Sequence, residues 1–415
     1  MSYRKYLNAG LFILVSLFIA SFSPAAAATP KPFVPNLSEG WSQIYPDPDF
    51  TYQVGDKVLK PACSNCPGTD PTYSFFVRKG KVNKVLIFFN GGGACWDSMN
   101  CIYSPTYNPT VSEFVSSGQL CVYNPYDPTI LYPTINHGIF DFTNNDNPFK
   151  DWYVVYLPYC TGDMFWGAND YNYPDYLNKL PGDSWTIQHR GFVNFQAVLK
   201  WVKDSFRLPQ QVFVAGSSAG GYGAIVNYPY IREAFPFTRA YVLADASSGV
   251  MAGDFNNKAN AVWNIQYPTW ILGGDVSTLT MEDVYTNIAA EYPLMKFAQY
   301  TTAYDQIQVL YYHLSLGNNV QNPAIWNNLS AAEFGIWNYY MSLYSHDTAA
   351  IAPNYRYYIG QGNVHMILAT DKFYTEASAG GVHFSKWVKS MVDNPFGIFG
   401  GPFQGIWQNL ESNNP

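Results

Sequence analysis

The chain has 415 residues and a formal net charge of −7, with 48% apolar, 18% aromatic and only 13% charged residues. That much apolar material offsets the entropy of ordering a large core, which excludes a disordered chain. The acidic balance argues against a nucleic-acid partner, because binding phosphates needs a basic patch.

Arg4 and Lys5 precede an uncharged apolar run from Leu11 to Phe22, followed by Pro24 and four alanines, Ala25 to Ala28. Charge, apolar run and small residues in that order predict a secretory signal peptide over residues 1–28, cleaved near Ala26 or Ala28. The run is shorter than the roughly 20 residues that cross a bilayer, and no later segment is apolar enough to span one. The expected mature chain, 29–415, is therefore secreted, extracellular or periplasmic, and free of the membrane. Without Arg4 and Lys5 it carries 21 basic and 30 acidic residues, a net charge of −9.

Six cysteines stand at positions 63, 66, 95, 101, 121 and 160. In an exported chain an even number predicts three disulfides, for which sequence alone allows fifteen pairings. Cys95 with Cys101 is the pair expected from their short spacing around one loop. Cys63 and Cys66 form a CxxC that reads as structural in an exported chain, and no metal or cofactor is expected.

From the leader to about residue 80 the sequence predicts an irregular arm with short strands. Lys84 to Asn90 is a continuous apolar run ending in a glycine cluster, the pattern of a strand buried on both faces. Trp152 to Leu157, Gln211 to Ala215 and Arg239 to Ala244 repeat it. Helical periodicity falls between them, at Phe192 to Phe206 and Gly220 to Asn227. Residues 250 to 350 are less regular and read as a lid or helical insertion above the sheet. Arg356 to Gly360 reads as a last strand and Phe384 to Val392 as a closing helix. Strands alternating with helices predict an α/β fold, a mostly parallel central sheet flanked by helices.

Gly216-Ser217-Ser218-Ala219-Gly220 matches GxSxG directly after the strand Gln211 to Ala215, with a helix-forming stretch behind it. A serine on a tight strand-to-helix turn needs small neighbours and is lifted above the sheet edge, as in α/β-hydrolases. Ser218 is the expected nucleophile. A hydroxyl needs a base within hydrogen-bond reach, and in this fold the histidine lies on a loop after the last strand. His365 fits that place, His383 is the reserve, and His189 reads as a structural hydrogen-bonding residue. Asp245, Asp275 and Asp305 all precede His365, so chain order does not choose the acid among them. Gly91-Gly92-Gly93 follows the first buried strand, where backbone amides of Gly92 and Gly93, with that of Ala219, are placed to bind an oxyanion.

Phe89 to Trp96, Pro158 to Asp163, Gly216 to Gly221 and Leu243 to Asp245 together resemble the pectin acetylesterase family, which includes the Notum carboxylesterases. The resemblance runs in order from about residue 60 to 390. It implies a Ser-Asp-His triad, no metal and hydrolysis of carboxylic esters, with deacetylation of pectin as the plant-type activity. It also implies Asp305 as the acid, because Tyr304-Asp305-Gln306-Ile307-Gln308 matches the family's Tyr/Phe-Asp-x-x-Gln segment, and it makes Asp245 a structural residue. Asn90 and the glycine triplet depart from the Glu-Gly-Gly-Trp of the Notum branch. The expected partner is an ester substrate such as an acetylated polysaccharide, with Trp96, Trp166, Trp185 and Tyr222 as candidates to line the cleft. A Notum-like action on longer acyl or lipid esters, or a non-catalytic binding role for the fold, are the alternatives.

Overall fold

In the computed structural model the described residues are 33–65, 70–102, 136–174, 184–317, 328–393 and 406–412; the expected signal peptide, Cys66 and Cys121 lie outside them. Residues 33–415 cluster as one compact unit. The strands, in chain order, are β1 (Trp41–Ile44), β2 (Tyr52–Val54), β3 (Lys57–Leu59), β4 (Phe75–Arg78), β5 (Val82–Phe89), β6 (Trp152–Leu157), β7 (Asn169–Pro174), β8 (Ser184–His189), β9 (Gln211–Ser217), β10 (Arg239–Asp245), β11 (Lys296–Thr302), β12 (Tyr355–Gly360) and β13 (Leu410–Glu411).

Among the described residues one sheet runs in the order β1-β4-β6-β5-β9-β10-β11-β12-β13. From β6 through β13 every pairing is parallel, while β1–β4 and β4–β6 are antiparallel. The result is the α/β-hydrolase-type sheet that the alternation of strands and helices predicts. Successive residues of a strand face opposite ways. Val85, Ile87 and Phe89 of β5, with Val212 and Val214 of β9, therefore pack into one core. Leu86, Phe88, Phe213 and Ala215 pack into a second core on the other face. Both faces are covered, so these strands read as unbroken apolar runs.

The helices Gly191–Ser205, Ala219–Ala234 and Ala331–Ile351 bury residues in the first core, among them Phe195, Tyr228 and Trp337. Phe384–Asp393 buries Phe384, Trp387, Val388 and Met391 in the second. The helix behind GxSxG is longer than its periodicity predicts and continues past Pro229 to Ala234. Packing of Tyr228 and Ile231, both fully buried, holds it beyond the proline.

The stretch 250–350 is not wholly an insertion, because Lys296–Thr302 is β11 and pairs with β10 and β12 within the sheet. Its seven residues are all buried despite the sequence KFAQYTT. Its Lys, Gln and Thr side chains are hydrogen-bonded: Lys296 Nζ donates to Met391 O at 3.1 Å, Gln299 Nε2 to Ser247 O at 2.9 Å and Thr302 Oγ1 to Val364 O at 2.9 Å. Satisfied polar groups are tolerated in a core, but hydropathy does not register the satisfaction. The helices Phe255–Trp263, Thr269–Leu272 and Met281–Glu291 between β10 and β11 supply walls of the larger of the two cavities described below.

Candidate active site

β9 ends at Ser217 and the next helix starts at Ala219, leaving Ser218 alone at the turn with φ +56° and ψ −126°. A non-glycine residue there carries strain of about 1–3 kcal/mol, which the surroundings must hold. Ser218 N donates to Asp245 O at 2.7 Å, and Ser247 Oγ donates to Ser218 O at 2.7 Å. The small residues of the motif follow from contact. A Cβ on Gly216 would lie 2.1 Å from Gly220 O, and one on Gly220 would lie 2.0 Å from Phe89 O.

The glycine loop after β5 runs past this turn. Gly93 has φ +83° and, with Ala219, lines the cavity into which Ser218 opens; the Gly92 α-carbon packs against the Tyr159 ring and does not line it. The loop is held by Cys95 N donating to Gly162 O at 2.9 Å and by Trp263 Nε1 donating to Cys95 O at 2.7 Å. Cys95 is bridged to Cys101, and Cys63 to Cys160. Ala94 N donates to Tyr311 Oη at 3.2 Å, which commits that amide elsewhere.

Asp305 caps the helix Gln306–Ser315. Its Oδ1 accepts from Ile307 N and Gln308 N, each at 3.0 Å, and its Oδ2 accepts from Gln308 Nε2 at 2.9 Å. The Gln308 carbonyl in turn accepts from Ser248 N at 2.7 Å. The spacing Asp-x-x-Gln thus holds a fully buried carboxylate in one orientation. His365 Nδ1 stands 2.9 Å from both Asp305 oxygens, on the loop that follows β12. That contact keeps the ring proton on Nδ1 and leaves Nε2 as the basic nitrogen. Burial opposes charging His365, but the charge and hydrogen bond of Asp305, with the charge of Asp245 behind it, raise its pKa above the ordinary 6.5.

Gly93, Ser218, Ala219, Gln308 and His365 line one small cavity of about 20 Å³, completed by the apolar walls Met164, Tyr222, Met251, Ile307 and Tyr311. Among the described residues Ser218 and His365 share this cavity without a direct hydrogen bond between their side chains; such bonds commonly tighten only around substrate. A second, larger cavity of about 160 Å³ adjoins it and shares Met164, Tyr222 and Met251 as walls. Trp166 lines the second cavity, whereas Trp96 and Trp185 line neither and pack on Phe255 and Tyr173. All four aromatic candidates are buried.

The remaining candidates lie elsewhere. Asp275 is exposed and bonds Ser277. His383 lines neither cavity. His189 is buried beneath the glycine loop, donating from Nδ1 to Thr161 O at 2.7 Å and accepting Tyr173 O–H at Nε2 at 2.8 Å; burial lowers its pKa to about 4, so it is neutral. It comes close to Cys95 and Cys101, but both sulfurs are bridged and both ring nitrogens are engaged, which leaves no metal-donor set there. Sequence patterns gave no signal for Met164 and Met251, because a methionine wall has no spacing of its own.

Solved structures of the Wnt deacylase Notum from Drosophila superpose on this fold in two crystal forms, with TM-scores of 0.55 and 0.56. The matches cover 80% of this chain and 89% and 90% of theirs, at 13% and 14% identity, which shows a shared fold. The Pectinacetylesterase family model matches residues 54–314, which include β3 through β11, the glycine loop, the GxSxG turn and Asp305. On that match over more than half of its length, this chain belongs to the pectinacetylesterase family, a family of carboxylic ester hydrolases.

Proposed function

We propose that this chain is a secreted serine esterase using Ser218 as nucleophile, His365 as general base and Asp305 as the acid that orients it. The observation that carries the reading is the meeting, in one cavity, of a serine on a strained strand-to-helix turn with an imidazole whose Nδ1 is held by a buried carboxylate. His365 Nε2 takes the proton as Ser218 Oγ attacks the ester carbonyl. In this reading the oxyanion forms at the start of the helix Ala219–Ala234, stabilised by the Ala219 amide and by the glycine loop at Gly93, which line the same cavity, and the helix dipole adds to the stabilisation. His365 then protonates the departing alcohol, and water attacks the acyl-enzyme with His365 again as base. The working unit in this reading is a single domain, residues 29–415, released by cleavage of the leader.

The substrate of first choice is an acetyl ester on a polysaccharide such as pectin, supported by the family. The adjoining apolar cavity favours a second reading, longer acyl esters. Aryl esters of increasing acyl length, assayed beside acetylated polysaccharides, separate the two. Ser218→Ala is expected to keep the fold and lose several powers of ten in kcat; wild-type turnover in that variant overturns the serine mechanism.

A further inference from the structure

Resting on the esterase reading above, we infer that Asp245 is a positioning residue that ties the loop carrying His365 to the turn carrying Ser218. Asp245 ends β10 in register with Ser217 of β9. Its Oδ2 accepts three hydrogen bonds: from Ser217 Oγ at 2.7 Å, from Ile367 N at 2.9 Å and from Leu368 N at 2.9 Å. Its backbone carbonyl accepts Ser218 N at 2.7 Å. One fully buried residue therefore holds the nucleophile's own amide and two successive amides of the segment two residues beyond the base.

That segment needs holding. Met366, between His365 and Ile367, has φ +66°, a left-handed conformation that a side chain disfavours. Two adjacent amides turned toward one oxygen form an anion nest, and the carboxylate is its occupant. Leu368 O accepts Ile139 N at 2.8 Å and, before the base, Val364 O accepts Thr302 Oγ1 at 2.9 Å, so the Asp245 carboxylate holds the left-handed stretch between these two anchors. Asp245 Oδ1 is buried with no partner, a cost that a carboxylate placed only for packing would not need to bear. Burial raises the Asp245 pKa to about 6, and the three donors counter it. The groups facing His365 are Asp305 from the cap of the helix Gln306–Ser315, Asp245 from β10 and the Ser218 hydroxyl; Tyr300 of β11 faces both carboxylates, and burial keeps it un-ionised.

Asp245→Asn keeps the shape and one accepting oxygen but removes a charge near His365. Expected is a kcat loss on the order of ten- to a hundredfold with KM little changed, because a small misplacement of the base is costly, and an acid limb of kcat/KM shifted to lower pH. Asp245→Glu keeps the charge and lengthens the reach: kcat falls and the acid limb stays. A folded variant of either kind with wild-type kcat and an unmoved acid limb overturns the inference. Adding Met366→Gly, which adopts the left-handed conformation freely, is expected to restore part of the kcat lost in Asp245→Asn; a purely structural role predicts no such rescue. Should neither variant fold, amide exchange on the wild-type protein decides, with Ile367 and Leu368 expected to exchange as slowly as β9 and β10, and loop-like exchange overturning the inference. Full activity in Ser218→Ala instead overturns the esterase reading itself, so the two failures are distinguishable.

Discussion

A hydroxyl attacks an ester only as its proton leaves, so in the proposed mechanism the protonation state of His365 sets the pH at which Ser218 works. Burial alone makes the charged ring unfavourable, but Asp305 and Asp245 outweigh it and raise the pKa. The base must be neutral at Nε2, so kcat/KM falls as pH drops through that raised value. The acid limb is expected above 6.5, and a midpoint well below 6.5 in a kcat/KM profile would contradict the pairing with Asp305. Asp305→Asn removes both the charge and the tautomer preference, and should cost on the order of ten-thousand-fold in kcat. Asp275→Asn, an exposed change that touches only Ser277, should leave turnover near wild type. That Ser218 and His365 stand at one cavity was legible in the sequence, because a motif and its chain order single them out. The acid was not, because Asp245, Asp275 and Asp305 satisfy the same order and only the resemblance separates them. In space they stand apart: one meets the imidazole, one meets the backbone beyond it, one meets solvent.

Elements were legible where burial and apolar composition coincide, as in β6, whose six residues are the run Trp152 to Leu157. They were not where a core position is polar and paired, which is why β11 reads as part of an insertion. Met251, on the segment after β10, stands with Met164 and Tyr222 between the cavity at Ser218 and the larger one beside it. Methionine is unbranched and flexible, a partition that yields. Met251→Ala is expected to join the two spaces, raising kcat/KM for an octanoyl aryl ester relative to the acetyl ester by roughly tenfold, the value of one or two apolar groups in a pocket. An unchanged ratio would mean that acyl chains do not enter the second cavity.

At the scale of the whole molecule the two described disulfides do different work. Cys63–Cys160 spans 97 residues and ties the arm before β4 to the segment after β6. Around it, Ser64 N donates to Cys160 O, and Ala62 exchanges two hydrogen bonds with the Asn194 side chain on the helix Gly191–Ser205. Cys95–Cys101 spans 6 residues and closes only the loop beyond the glycine run. Loop-closure entropy grows with the logarithm of the closed length, so the long bridge restrains the unfolded chain by about 4–5 kcal/mol and the short one by about 2 kcal/mol. Replacing Cys63 and Cys160 by serine together should lower Tm by roughly 5 °C, given the large unfolding entropy of a chain of this size. Its folded fraction should keep wild-type kcat, because neither cysteine lines the cavity at Ser218. Replacing Cys95 and Cys101 should lower Tm by less than half as much yet reduce kcat, because the loop that presents Gly93 loses its closure while Gly162 and Trp263 still hold one end. Calorimetry at a fixed scan rate and kcat on an acetyl aryl ester, measured on both double variants, test the division. Equal Tm losses with equal kcat losses would show that the short bridge does not act through the glycine loop.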